Sequence, residues 1–293
     1  MIITGMVPWL RVTNSRLRVK TANPRRKTKH ETMNRNQSTR NSFRSAVRMT
    51  RHLATQVASV KEKKRLRVKK LCRLEYGAAL KLQKETELAV RDGRQPDTLL
   101  LLEHPHTLTV GRRGDNAGIL MSPELLANRG VTVFETNRGG KITYHGLGQV
   151  VGYPIINLSP EREDVHRYVR ELEAVLIRTL ADFEISAFRL EGFTGVHTSR
   201  GKVAAIGVHI ARWVTTHGFA LNVNTDLSYF NLIIACDGEQ VTSMDDLLGH
   251  EVDMRQVEDR LAARFAEVFE MELEFDQQDF QPDATQPAEQ AKA

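Results

Sequence analysis

"GKVAAIGVHIARWVTTHGFALNVN" runs from Gly201 to Asn224 and holds two apolar, β-rich runs, "KVAAIGVHIAR" and "THGFALNVN", close together in the chain. Such runs, separated by only a few residues, read as strands joined in a hairpin. Working outward, "LRVKKLCRLEYGAALKLQKETELAVRDGRQPDTLLLLEH" gives a strand, a helix from about Tyr76 to Arg91, a turn and a second strand, a β-α-β unit. Ser122 with Pro123 behind it opens a short helix at "SPELLANRG", and "VTVFET" reads as a strand. "DVHRYVRELEAVLIRTLADF" spaces its apolar residues by three and four and predicts a long amphipathic helix. Strands at "SAFRL" and "GVHTS" precede the opening stretch, and "MRQVEDRLAARFAEVFE" supplies a last helix. Helices interleaved with strands, and a hairpin among them, predict an α/β fold built on a mixed β-sheet with flanking helices.

The 293 residues carry a formal charge of +6, and that average conceals two opposite parts. Residues 1–70 contain 20 Lys/Arg against Glu31 and Glu62 alone, hence +18, which subtracted from +6 leaves −12 for residues 71–293. Residues 1–62 are basic, rich in Ser, Thr and Asn, and lack apolar periodicity, so they read as a disordered extension. Three origins stay open for it: an arm for nucleic acid or an acidic partner, an organellar transit segment, or translation from too early a start, with Met33 and Met49 as later ones. Residues 63–280 read as one catalytic domain and residues 281–293 as a disordered polar tail. Two cysteines are too few for a disulfide framework, and no run approaches the roughly 20 apolar residues that span a bilayer. The compartment expected is the cytoplasm, or the mitochondrion if the extension is a transit segment.

Two residues stand out chemically. Cys236 ends the apolar run "LIIAC" and precedes "DGEQ", turn chemistry that places a side chain at a sheet's rim. Cysteine is ordinarily core filler, and Cys72, between Leu71 and Arg73, is left with that reading. Lys202 sits among alanines and glycines, where strand lysines are usually solvated. An ammonium beside a thiol favours the thiolate, the form that attacks acyl groups, so the pair would make a nucleophile if folding brought it together. "RGGKITYHGLGQVVG" misses the dinucleotide fingerprint in its spacing and is followed by a strand instead of a helix; its glycines suit a loop lying against a ligand. His104 and His106 in "EHPHTL" would share a strand face, but no further ligand stands at metal spacing, so no metal is expected.

Taken together, "RGGKITYHGLGQ", "GKVAAIGVHIARWVTTHGFALNVN" and "LSYFNLIIACD" resemble the octanoyltransferases that begin lipoyl assembly on proteins, over about Leu66 to Phe275. The resemblance implies a biotin/lipoate protein ligase-like fold, with Cys236 as the acyl-thioester nucleophile and Lys202 as the partner that lowers its pKa and later acts as base. It also implies that Arg138, Gly139, Gly140, Lys141, Ile142, Thr143, Tyr144, His145, Ala205, Ile206, Gly207, Gly218, Phe219 and Ala220 line the acyl site. No cofactor is implied. The partners implied are octanoyl-acyl carrier protein as donor and, as acceptors, the lipoyl domains of 2-oxoacid dehydrogenase complexes and the glycine-cleavage H protein, with neither nucleic acid nor membrane. Both kinds of partner are acidic in this family, and Arg112, Arg113 and Arg138 are the candidates to receive them. This chain departs from the family pattern at Leu147, where proline is usual, and at Asp237, where glycine is usual. The rivals are an ATP-dependent lipoate ligase of the same fold, a nucleic-acid binder acting through the basic arm, and a cysteine hydrolase.

Overall fold

The computed structural model describes residues 63–234 and 239–275. The basic extension, the polar tail and Cys236 lie outside the described residues. A seven-stranded mixed sheet forms the body, from β1 (Arg65–Arg73), β2 (Asp97–Glu103), β6 (Gln149–Ile155), β7 (Val196–Thr198), β8 (Gly201–Ala211), β9 (Val214–Asn222) and β10 (Glu272–Phe275), ordered β10-β1-β2-β6-β9-β8-β7. The pairs β10–β1 and β1–β2 are parallel and the others antiparallel. A small second sheet, ordered β4-β3-β5, comes from β3 (Thr107–Val110), β4 (Thr132–Glu135) and β5 (Ile142–His145).

Helix α1 (Tyr76–Arg91) is the crossover of the expected β-α-β unit, and its bounds are those read from the sequence. It covers one face of the large sheet, where Ala79 and Val90 meet Leu100, Leu102, Val151, Tyr153 and Ala220. The other face carries α3 (Val165–Ala181) and α5 (Met254–Phe269). Their buried stripes, Tyr168, Leu172, Val175 and Leu176 on α3 and Val257, Leu261, Phe265 and Phe269 on α5, merge with Leu99, Leu101, Phe219 and Leu221 in the main core. Asp164 and Asp253 cap these helices by accepting N–H bonds from Arg167 and Arg255. Ser122 caps α2 (Pro123–Asn128) as expected, and α4 (Met244–Leu248) is a single short turn region.

The opening stretch does form a hairpin, but its turn falls earlier than the apolar pattern suggests. Ala211 pairs with Val214 around a two-residue loop in which Arg212 and Trp213 have φ of 51° and 61°. Left-handed geometry at both positions gives the twist that tight hairpins favour, here without glycine or asparagine to signal it. "SAFRL" is not a strand; Phe188 makes only an isolated bridge to His197. The strand expected after the glycine-rich segment starts inside it, since β6 runs from Gln149 to Ile155. Cys72 is no core filler: it is exposed, at φ 49°, where the β1–β2 register shifts.

Candidate active site

The glycine-rich segment is only partly a loop, because Ile142–His145 is the strand β5 and alternation divides its side chains. Ile142 and Tyr144 pack with Leu108 and Phe230 in the core of the small sheet, away from the slot described below. Thr143 and His145 face the large sheet, together with Arg138. There they meet Ala205, Gly207, Gly218 and Ala220, which pair across β8 and β9 as Ala205 with Ala220 and Gly207 with Gly218. Between the two sheets lies a slot of about 40 Å³, closed by Tyr76, Tyr153 and His217 and also bordered by Ile206 and Phe219. Of the residues expected to line an acyl site, Arg138, Thr143, His145, Ala205, Ile206, Gly207, Gly218, Phe219 and Ala220 border the slot; Gly139, Gly140, Ile142 and Tyr144 do not, and Lys141 is exposed.

Close approach explains the small residues. A Cβ on Gly207 would lie 2.8 Å from Gly139 O, and the Gly139 N–H donates to Val208 O at 2.9 Å, tying the glycine-rich loop across β8. Arg138 is buried, its Nε and Nη2 donating to Thr109 Oγ1 at 3.1 and 2.8 Å and its Nη1 to Gly139 O at 3.0 Å. It therefore shapes the slot and cannot receive a docking protein; Arg112 and Arg113 remain exposed.

His145 is held by a directed chain. Gln149 Nε2 donates to Asn222 Oδ1 at 2.9 Å and to Tyr144 O at 3.2 Å, which leaves Gln149 Oε1 to accept from His145 Nδ1 at 2.9 Å. Nε2 of His145 is then the acceptor, 3.4 Å from Thr109 Oγ1. Burial, with His104 and Arg138 nearby, holds its pKa well below the usual histidine value, so the ring is neutral. Burial first, then Arg138, lowers His217 to about 4, and burial lowers His104 to about 4. His104 and His106 stand past the end of β2 and have protein partners, His104 with Leu74 O and Tyr153 Oη and His106 with Tyr144 Oη.

Thr143, Ala205 and Ala220 also border a second small cavity, of about 10 Å³, whose wall includes Lys202. Strict alternation would put Lys202 on the face of Ala204, but the β7–β8 register shifts between Val196 and His197. Val203 and Ala204 both enter the main core, and Lys202 joins Ala205 at the second cavity. The lysine crosses Gly195, φ 125°, where a Cβ would come within 2.7 Å of its Cε. Its Nζ donates to Glu239 Oε2 at 3.1 Å, and Glu239 Oε1 lies 2.9 Å from His197 Nε2. Glu239 also borders an open cleft of about 910 Å³, with Arg200, Leu227, Ile233 and Ile234. Phe230 and Val241 line both cleft and inner cavity, so the Lys202–Glu239 pair stands where inner cavity and cleft adjoin. Sequence reasoning missed Tyr76, Tyr153, Gln149, Gly195, His197, His217 and Glu239; Gln149, His217 and Glu239 stand inside or beside the motifs it singled out, and the others had no such signal.

The family model for the lipoyl protein ligase A/B catalytic domain matches residues 75–266. An octanoyltransferase of Solibacter usitatus is 46% identical over 207 residues, covering 70% of this chain and 94% of the relative. The chain belongs to the octanoyltransferase family. A second family member, the octanoyltransferase of Geobacter metallireducens, is 43% identical over 210 residues, 71% of this chain and 95% of that one. Among solved structures, the bipartite lipoate protein ligase of Thermoplasma acidophilum superposes with a TM-score of 0.59 at 18% identity, covering 73% of this octanoyltransferase-family chain and 87% of that one. Lipoate-protein ligase A bound with ATP gives 0.57 at 15%, over 73% and 88%. These structures share the mixed α/β fold; at such identity they speak for the fold alone. Among the described residues no helix is long and apolar enough to cross a membrane.

Proposed function

We propose that this acyltransferase moves an octanoyl group from octanoyl-acyl carrier protein to the acceptor lysine of lipoyl domains, those of 2-oxoacid dehydrogenase complexes and the glycine-cleavage H protein, through a thioester on Cys236. The observation that carries the reading is the slot walled by Ala205, Gly207, Gly218 and Ala220, which adjoins the cavity of Lys202. An acyl tail needs an apolar groove with one polar end, and this groove ends at an ammonium. Cys236 precedes Glu239 by three residues, a tether of at most about 11 Å, and Glu239 bonds Lys202.

In the first half-reaction the Cys236 thiolate attacks the thioester carbonyl, a new C–S bond forms, and the carrier's thiolate departs with a proton from the Lys202 ammonium, which is left as a neutral amine. In the second, the acceptor lysine's neutral amine attacks the acyl-enzyme, Lys202 takes the amine's proton, and the Cys236 thiolate leaves. Thioester to amide runs downhill, so neither half needs ATP. The oxyanion needs donors outside the sheet ladder. Phe219 and Ala220 are paired on both sides, with β6 and with β8, which commits their N–H groups.

The deciding experiment is intact mass after incubation with octanoyl carrier protein, with no nucleotide added. A thiol-labile octanoyl adduct on the wild-type chain, absent from Cys236→Ala, is the expected result. Adenylate formation from free octanoate and ATP, with no adduct, would replace this reading by the ligase of the same fold. We place the reaction in the cytoplasm; organellar import dependent on residues 1–62 would move it to the mitochondrion.

A further inference from the structure

We propose that Glu239 is a positioning residue for Lys202, clamped from its far side by His197, so that the carboxylate sets where the lysine's ammonium sits. The inference rests on the octanoyl-transfer reading and adds to it a residue that the family motifs do not supply.

The three side chains form a short, nearly water-free relay: Lys202, Glu239 and His197 are 9%, 14% and 5% exposed at the side chain. Among the described residues Oε2 is bonded to the lysine and Oε1 to the histidine, so the carboxylate plane cannot turn without breaking one of the two bonds. His197 Nδ1 is buried without a hydrogen-bond partner among the described residues. A carboxylate only accepts, so its bond to the ring requires a proton on His197 Nε2, aimed at Glu239. His197 is itself fixed, its backbone exchanging both hydrogen bonds with Phe188 and its ring lying against Phe188 and Phe193. Gly195 leaves the corridor through which the lysine stem runs.

A staple for the chain after Cys236 would be another use for Glu239, but that task is already done by backbone. The Lys202 N–H donates to Gln240 O at 2.8 Å, and the Thr242 N–H donates to Lys202 O at 3.0 Å. A partly buried ion pair also adds little net stability, since desolvation offsets most of the attraction. What remains for the carboxylate is aim. A lysine has four rotatable bonds, and proton transfer demands that Nζ be within hydrogen-bond reach of the attacking amine.

Two variants separate position from charge. Glu239→Gln keeps an oxygen at the place of Oε2 and discards the charge, and its amide nitrogen keeps the bond to His197 once the ring proton moves from Nε2 to Nδ1; Glu239→Asp keeps the charge and withdraws it by one carbon–carbon bond. Steady-state transfer is measured on the full chain with octanoyl carrier protein and a lipoyl domain, alongside thermal melts. Glu239→Asp is expected to lose about tenfold or more in kcat, with KM for both substrates within about twofold, while Glu239→Gln stays within about threefold of wild type. His197→Leu should fall between them. Wild-type kcat in Glu239→Asp overturns the proposal, as does a loss confined to KM or a Glu239→Gln variant as slow as Glu239→Asp. Failure of the underlying reading shows elsewhere, as a wild-type chain that forms no octanoyl adduct.

Discussion

Replacing Ala205 by valine adds two carbons to a wall shared by the slot of about 40 Å³ and the cavity of about 10 Å³. A water-sized probe occupies about 10–15 Å³ of such space, so the substitution fills what the inner cavity offers. The acyl chain then loses the burial of about two methylenes. At about 0.8 kcal/mol each this is about 1.6 kcal/mol, or roughly a fifteenfold fall in kcat/KM for an octanoyl donor. A hexanoyl donor, shorter by those two carbons, should lose no more than about threefold, so the variant narrows the preference for octanoyl by about fivefold or more. The assay is competition between octanoyl and hexanoyl carrier proteins for one lipoyl domain, read by product mass. Overpacking costs about 1–3 kcal/mol of stability, and a melt fixes the assay temperature below the variant's transition. If both donors slow by the same factor, or neither slows, the slot between the sheets does not hold the acyl chain.

Cys236→Ala should abolish transfer and Cys72→Ser leave it near wild type, since Cys72 is exposed at a strand irregularity with no reactive neighbour described; equal loss in both refutes the nucleophile assignment. Gly195→Ala should slow turnover through Lys202, because its Cβ would come within 2.7 Å of the lysine's Cε and φ is 125°; unchanged kcat in a folded variant would show that the corridor is not needed. Stability should fall on acidification. His104 and His217 have folded pKa values near 4, below the usual 6.5, so their contribution is present above 6.5 and is lost as pH falls toward 4. Asp97, raised to about 6 chiefly by burial, works the other way: its penalty, which grows as pH rises from about 3.8 to 6, is relieved on acidification. Asp97→Asn removes that relief, and melts between pH 6.5 and 4.5 should fall more steeply than in wild type; parallel curves refute the assignment. Deleting residues 1–60 should leave the melting temperature and transfer rate largely unchanged, tested on the shortened chain by circular dichroism and the same mass assay.

Elements with a strong period were legible in the sequence. Helix α1 and the amphipathic α3 and α5 follow from spacing alone, because a stripe of buried residues three and four apart has few other uses. The short strands β3 and β5 were not legible: each has four residues, all buried, too few to show alternation. The tight turn at Arg212–Trp213 escaped because its left-handed geometry is imposed by the twist of the strands it joins and not by glycine. In the candidate site, the small residues of β8 and β9 and the glycine-rich motif were readable as places where something approaches closely. Lys202 could be singled out but not aimed, since its direction depends on a register shift opposite His197 that has no local signature. Glu239 and His197 lie 42 positions apart, and no pattern joins them before the chain folds.

The edge strand β10 has a further consequence, for the order in which the molecule can be assembled. β10 runs alongside β1, with Glu272 opposite Arg65, so two segments roughly 200 residues apart in the chain must meet to finish the sheet. During synthesis β1 emerges early, and one of its hydrogen-bonding edges stays bare until nearly all of the domain has been made. That edge belongs to a strand holding Leu66 and Val68, both fully enclosed in the finished fold. A nascent chain stalled before Glu272 would offer it to any neighbour, which makes a late ribosomal pause a hazard for self-association. Closure of the body thus waits on the last strand and not on the earlier helices.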